Sequence, residues 1–310
     1  MLFNLVHLRR WGLPTLSLAA LGFIASTLWQ SPLTIETLER ATSWRGLALA
    51  MLPCLAMLVA KAILQTLLIE NHQVRGSWWP VLAAYAQGQL IRYLPGKVWG
   101  IVYQGERLID RAPRAVIWHA NISQIFATTL NGVAVMLGIV LYKHAHVLAG
   151  ALAIGLGMAA TWWVLRSGIL AVWLRLMVKL GLPIEFGHAQ RINAGRALVQ
   201  VWILQFDWLA YFLAWVLLVG ETYDAAAAIW IGTLYAGASL IGLLVIVMPS
   251  GWLVREAAFI WLGGMQQMPA AELLVLGLIA RAFFTVGDGL CAALLVGINF
   301  KVRGPTDGHS

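Results

Sequence analysis

Long apolar runs follow one another down almost the whole of this 310-residue chain: 13–30, 46–69, 116–142, 146–165, 197–220, 225–247 and 271–298. Each approaches or exceeds the ~20 residues that carry an α-helix across a bilayer's hydrocarbon core. Charged residues make up only 11% of the chain, where a soluble domain averages about 25%. Mean hydropathy is +0.79. No stretch of useful size remains for a separate soluble domain. The expectation is one membrane domain over residues 1–310: an all-α polytopic protein with about seven or eight transmembrane helices.

The net charge of +8 and pI near 9.9 do not point to nucleic acid, because the basic residues sit in short loops between apolar runs. That placement suits cytoplasmic loops facing anionic headgroups. Arg9 and Arg10 put the N-terminus in the cytoplasm, and 13–30 reads as a retained first helix rather than a cleaved signal. The 70–115 and 166–196 stretches are Arg/Lys-rich and so cytoplasmic, whereas 31–45 and 221–224 read as outside. Seven crossings would leave Lys301 and Arg303 outside, against the charge rule. Either that rule is overridden or one more segment crosses, with 168–184 and 251–265 as candidates. The 16 tryptophans fit interfacial belts, and Cys54 and Cys291 lie inside apolar runs, which argues against a disulfide or a metal site. The expected location is a bacterial inner membrane.

Two segments break the apolar pattern with proline, glycine and charge: Arg92-Tyr93-Leu94-Pro95-Gly96-Lys97-Val98-Trp99-Gly100 and Met248-Pro249-Ser250-Gly251-Trp252-Leu253-Val254-Arg255-Glu256. Broken backbone at membrane depth persists only where protein or a water-filled cavity satisfies it, and in transporters it often marks the substrate site. Residues 78–94 and 98–109 read as helix, break, helix, a re-entrant hairpin; 251–264 after Pro249 reads as a second. Pro95, Gly96, Gly100, Pro249 and Gly251 are the structural break residues. The breaks lie about half a chain apart, which suggests an internal repeat with halves near 1–150 and 151–310. The competing reading is that Pro-Gly punctuates loops everywhere.

These motifs resemble the transmembrane flippase-like family that includes the membrane half of lysylphosphatidylglycerol synthase, also called multiple peptide resistance factor. The resemblance rests on Leu94-Pro95-Gly96 running to Gly105-Glu106-Arg107, on Met248 to Ala258, on Asp207-Trp208 in a middle helix and on Arg281 in the last. It covers nearly the whole chain in order. It implies a polytopic lipid-translocating domain with re-entrant helices. The family often has Gly-Gly after the proline, where this chain has Gly96-Lys97 and Ser250-Gly251. No aminoacyl-transferase domain follows the last span, so the chain is not expected both to make and to flip an aminoacyl lipid.

Ionisable side chains inside spans are costly and face the protein interior. Arg92, Lys97 and Arg107 gather at the first break, Arg255 and Glu256 follow the second, and Arg281 sits mid-span. A guanidinium grips phosphate through paired hydrogen bonds, and helix N-termini add N–H donors. Substrate binding is therefore expected at Arg92, Lys97, Arg107, Asp207, Arg255, Glu256 and Arg281. Snorkelling toward anionic lipid is the plain alternative, chiefly for Lys97, Arg107 and Lys61. Asp207 is open to three roles: balancing those arginines, binding a headgroup amine or carrying a proton. Asp288, between Gly287 and Gly289, reads as a structural ion-pair member. His119, Asn121, Gln124 and Asn131 recur along the third span and read as glue between helices.

No nucleotide-binding phosphate loop, zinc-protease or nucleophile-elbow motif occurs in the sequence. No catalytic residue, cofactor or metal is expected. The leading expectation is a translocase for an anionic phospholipid or a polyprenyl-phosphate-linked lipid, with the headgroup entering between the two breaks. Two alternatives stand beside it: a membrane-embedded transferase with Asp207 or Glu256 as base, and a non-catalytic partner of a synthetase or glycosyltransferase in lipid-linked glycan or aminoacyl-lipid synthesis. Expected partners are the membrane lipid and that enzyme, with a homo-oligomer also open.

Overall fold

The computed structural model describes residues 42–74, 76–91, 99–169, 192–244 and 253–303, together with residues 22, 25 and 26. Among them the chain is helical, with no strand: α1 Trp44–Glu70, α2 Trp78–Ile91, α3 Trp99–Arg107, α4 Arg114–His144, α5 Val147–Ser167, α6 Ala194–Val219, α7 Ala225–Leu244, α8 Val254–Gly264 and α9 Ala270–Arg303. Six of these (α1, α4, α5, α6, α7 and α9) are long and apolar enough to cross a membrane. The protein is therefore an all-α, multi-pass membrane protein. The expected first span 13–30 lies outside the described residues but for three positions, and the candidate crossing 168–184 lies outside them but for its first two residues.

The three short helices lie at the breaks. α2 has 14 residues, α3 has 9 and α8 has 11, about 21, 14 and 16 Å at 1.5 Å per residue, well short of a ~30 Å core. The run 251–265 thus supplies no additional crossing. In chain order, a long helix, a helix entering a break, a short helix and a second long helix occur twice, as α1–α4 and as α6–α9. Each element of the second series starts roughly 150 residues after its counterpart: Trp44 and Ala194, Trp78 and Ala225, Trp99 and Val254, Arg114 and Ala270.

Local chemistry sets the helix ends. Ser43 caps α1, its Oγ accepting from the Gly46 N–H at 3.0 Å. His146 caps α5 through Nδ1, which accepts from the Leu148 N–H. α5 ends on Gly168 at φ 67°, the left-handed conformation that stops a helix without a Cβ clash. Pro53 sits inside α1, a position transmembrane helices tolerate.

The described residues form two compact units. In one, residues 55–74, 76–91, 99–169, 192–210 and 287–303 hold α2 to α5 with parts of α1, α6 and α9. Its apolar core includes Leu64, Leu68, Ala84, Leu108, Ile117 and Leu204. α2 and α3 pack against each other as a hairpin, and glycine makes this possible. A Cβ on Gly100 would lie 2.5 Å from the Gly88 carbonyl oxygen, and one on Gly88 would lie 3.0 Å from the Gly100 oxygen. Small residues let backbones approach where lipid provides no hydrophobic drive between helices. α4 and α5 use the same device at Gly138 and Gly150, while Leu148, Leu152, Leu156 and Trp163 stay exposed on α5, as suits contact with lipid.

The second unit holds 44–54, 211–244 and 253–286. The Thr42 hydroxyl donates to the Leu218 carbonyl at 2.6 Å, and Gly46 meets the Leu217 and Leu218 carbonyls, so the start of α1 rests on the end of α6. α8 packs against α7 and α9, with Gly237 facing Leu262 and Phe259 lying against Gly277.

Candidate functional site

The end of the second break is built as an ionic cluster. α8 starts after Leu253, whose φ of 64° and ψ of −41° is unusual for a residue with a branched side chain and holds the chain in a strained turn. The next residues, Val254, Arg255 and Glu256, form the first helical turn, where a carboxylate is favoured by the helix dipole. Glu256 is 3% exposed. Its Oε1 accepts from Arg281 Nη1 at 2.7 Å and from Arg255 Nη2 at 3.2 Å. Its Oε2 is buried and has no hydrogen-bond partner among the described residues.

Aromatic rings enclose the cluster. The Arg255 guanidinium lies 4.9 Å above the Tyr235 ring. Tyr235 meets Trp215 at 5.3 Å and Phe259 at 5.3 Å, and stacks on Phe284 at 6.3 Å. Tyr211 stacks on Phe284 and donates its hydroxyl to the Gly232 carbonyl at 2.8 Å. Two cations thus share one carboxylate among ring faces, where low polarity strengthens charge–charge interaction. An anion arriving here would meet guanidinium N–H donors already held in place.

The other unit carries a separate set of polar contacts in its helices. Lys61 Nζ lies 3.5 Å from Asp207 Oδ1, and Asp207 is 4% exposed. Gln124 donates to the Lys61 carbonyl at 2.9 Å and to the Tyr85 hydroxyl at 3.0 Å. Asn121 donates to Gln104 Oε1 at 3.1 Å, and the Tyr103 hydroxyl donates to Gln87 at 2.8 Å. Gln205 donates to Asn131 at 2.7 Å. His119 Nδ1 and His72 Nε2 are 2.9 Å apart, and burial lowers the His72 pKa from its ordinary 6.5. The four polar residues of the third expected span, His119, Asn121, Gln124 and Asn131, therefore all bond to side chains or backbone from other segments.

Of the expected substrate residues, the structure brings Arg255, Glu256 and Arg281 together. It pairs Asp207 with Lys61, so the aspartate's immediate partner is a lysine rather than an arginine, and the Lys61 ammonium turns to that carboxylate. Arg107 is exposed in the last turn of α3. Gly100 forms the hairpin contact with Gly88. Asp288 is buried in α9. Arg92, Pro95, Gly96, Lys97, Pro249 and Gly251 lie outside the described residues. Sequence reasoning missed Tyr235, a ring one helix upstream of Arg255 with no local signal, and the glutamines 87 and 104, whose polarity inside apolar helices was the available clue. No group of three or more His, Cys, Asp or Glu residues placed to hold a metal occurs among the described residues. No family model, curated protein or solved structure matches the chain.

Proposed function

We propose that this protein is a lipid translocase that moves an anionic phospholipid or a polyprenyl-phosphate-linked lipid across a bacterial inner membrane. The observation that carries the reading is the sharing of one Glu256 oxygen by Arg255 and Arg281 at the end of a broken helix. Two guanidiniums gathered at one carboxylate in a membrane segment present fixed positive charge and N–H donors to an arriving anion. A lipid phosphate has the charge and the acceptor geometry to meet them.

The doubled order of elements supports the same reading. Discontinuous helices in corresponding positions of two repeats are the arrangement in which transporters place substrate. In this proposal α2–α3 and α7–α8 are the corresponding broken regions of two repeats, and the lipid tail stays in hydrocarbon while the headgroup exchanges between arginines and water.

Mass spectrometry of lipids that co-purify with the wild type and with Arg255→Ala and Arg281→Ala tests the site. One anionic lipid class should be enriched on the wild type and depleted on both variants. Equal bulk lipid on all three would remove the phosphate-grip reading.

A further inference from the structure

A second, differently built place lies within the unit that holds the C-terminal part of α1 and the N-terminal part of α6, at the Glu70 end of α1 and the N-terminal end of α6. A cavity of about 280 Å³ is lined there by Leu67, Glu70, Asn71, Arg196, Val199 and Gln200, with Gly195 at its edge. Both helices are membrane-spanning, and Glu70 and Arg196 sit in their terminal turns. The cavity is therefore at the depth of lipid headgroups. Leu67 and Val199 line its hydrocarbon side.

Its lining is mostly apolar, and a few polar groups stand within it. Gln200 is 1% exposed and its Oε1 has no hydrogen-bond partner among the described residues. Asn71 Oδ1 is buried in the same condition. Burying such oxygens without donors costs free energy, so a ligand that supplies N–H groups is favoured. Glu70, whose Oε1 accepts from Trp78 Nε1 at 2.5 Å, adds a carboxylate. On the other side stand the Arg196 guanidinium and the N-terminus of the 26-residue α6, both of which attract an anion.

We infer that this cavity binds a phosphoethanolamine headgroup, its phosphate on Arg196 and the α6 N-terminus and its ammonium on Glu70, Asn71 and Gln200. A primary ammonium carries three N–H donors, and the cavity presents three side chains with acceptor oxygens. A trimethylated ammonium has none to give. The site thus distinguishes ethanolamine from choline headgroups, and it does not depend on whether the arginine cluster of the other unit moves lipid.

Native mass spectrometry of the detergent-purified protein, titrated with phosphatidylethanolamine, phosphatidylcholine and soluble phosphoethanolamine, tests this. Phosphatidylethanolamine should bind at least about tenfold more tightly than phosphatidylcholine, since choline forfeits every ammonium N–H hydrogen bond and even one charge-assisted bond is worth about that factor. Gln200→Leu should erase most of that preference. Arg196→Ala, at an exposed position, should weaken both lipids. Saturable binding of soluble phosphoethanolamine would assign recognition to the headgroup alone, and binding of the lipid only would assign it to the membrane-held form. Equal affinity for the two lipids, or an unchanged preference in a folded Gln200→Leu protein, overturns the inference. If Gln200→Leu does not fold, an unchanged phosphatidylethanolamine affinity in Arg196→Ala does the same.

Discussion

Arg281 Nη1 in α9 reaches Glu256 Oε1 in α8 at 2.7 Å, the two residues lying 25 positions apart in the chain. Arg255 approaches the same oxygen from the neighbouring position at 3.2 Å. Removing the carboxylate leaves two guanidiniums together in a poorly solvated place, whereas removing Arg281 leaves Glu256 paired with Arg255. Glu256→Gln should therefore cost about 3 kcal/mol and Arg281→Ala much less. Thermal melting followed by tryptophan fluorescence would show Glu256→Gln melting well below Arg281→Ala. The reverse order would mean that Arg255 does not neutralise Glu256.

The Lys61–Asp207 pair behaves differently because it has one cation for one anion. Lys61→Met strands a carboxylate that is 4% exposed and should destabilise by about 3–5 kcal/mol. Adding Asp207→Leu to it should recover most of that loss. A double variant as unstable as Lys61→Met would show that Asp207 does more than answer Lys61.

The first hairpin depends on two glycines. Gly100→Ala drives a methyl to 2.5 Å from the Gly88 carbonyl oxygen, and backbone cannot yield cheaply, so a loss of about 1–3 kcal/mol is expected. Gly155→Ala in α5, where nothing lies within 4 Å, is the control; it should change stability by less than about 0.5 kcal/mol or raise it slightly. Equal melting of the two variants would contradict the close hairpin.

His72 gives a pH dependence. Its pKa is held below the ordinary 6.5 by burial, so as pH falls the unfolded chain takes up the proton first. The stability it contributes is present above its unfolded pKa and is lost as pH falls through the folded value. The melting temperature should drop from about pH 7.5 to about pH 5, and His72→Gln should flatten that drop. A His72→Gln profile parallel to the wild type would assign the acid sensitivity elsewhere.

The spans were legible because their signal is composition over length: 46–69 became Trp44–Glu70, and 271–298 became part of Ala270–Arg303. Proline, glycine and charge interrupt that composition at the two breaks, which brought Arg255 and Glu256 forward, while Arg281 stood out as an arginine in mid-span. The partnering of charges was not legible. Lys61 and Asp207 lie 146 positions apart in the sequence, and only helix packing decides that they meet. The aromatic wall at Tyr235 and the buried oxygens of Asn71 and Gln200 were hidden for the same reason, since their neighbours come from different helices. The span 225–247 is helical over the whole of its described part, Ala225–Leu244.

Lipid exchange in proteoliposomes tests the central claim most directly. Purified wild type and Arg281→Ala protein would be reconstituted with phosphatidylglycerol carrying a fluorophore on one acyl chain, and outer-leaflet fluorescence bleached with dithionite. The account predicts that wild-type vesicles lose fluorescence well beyond the outer-leaflet share, while Arg281→Ala vesicles, with the protein folded, stop near it. Wild-type vesicles that stop where protein-free vesicles stop, or an Arg281→Ala protein that exchanges lipid as fast as the wild type, would contradict it.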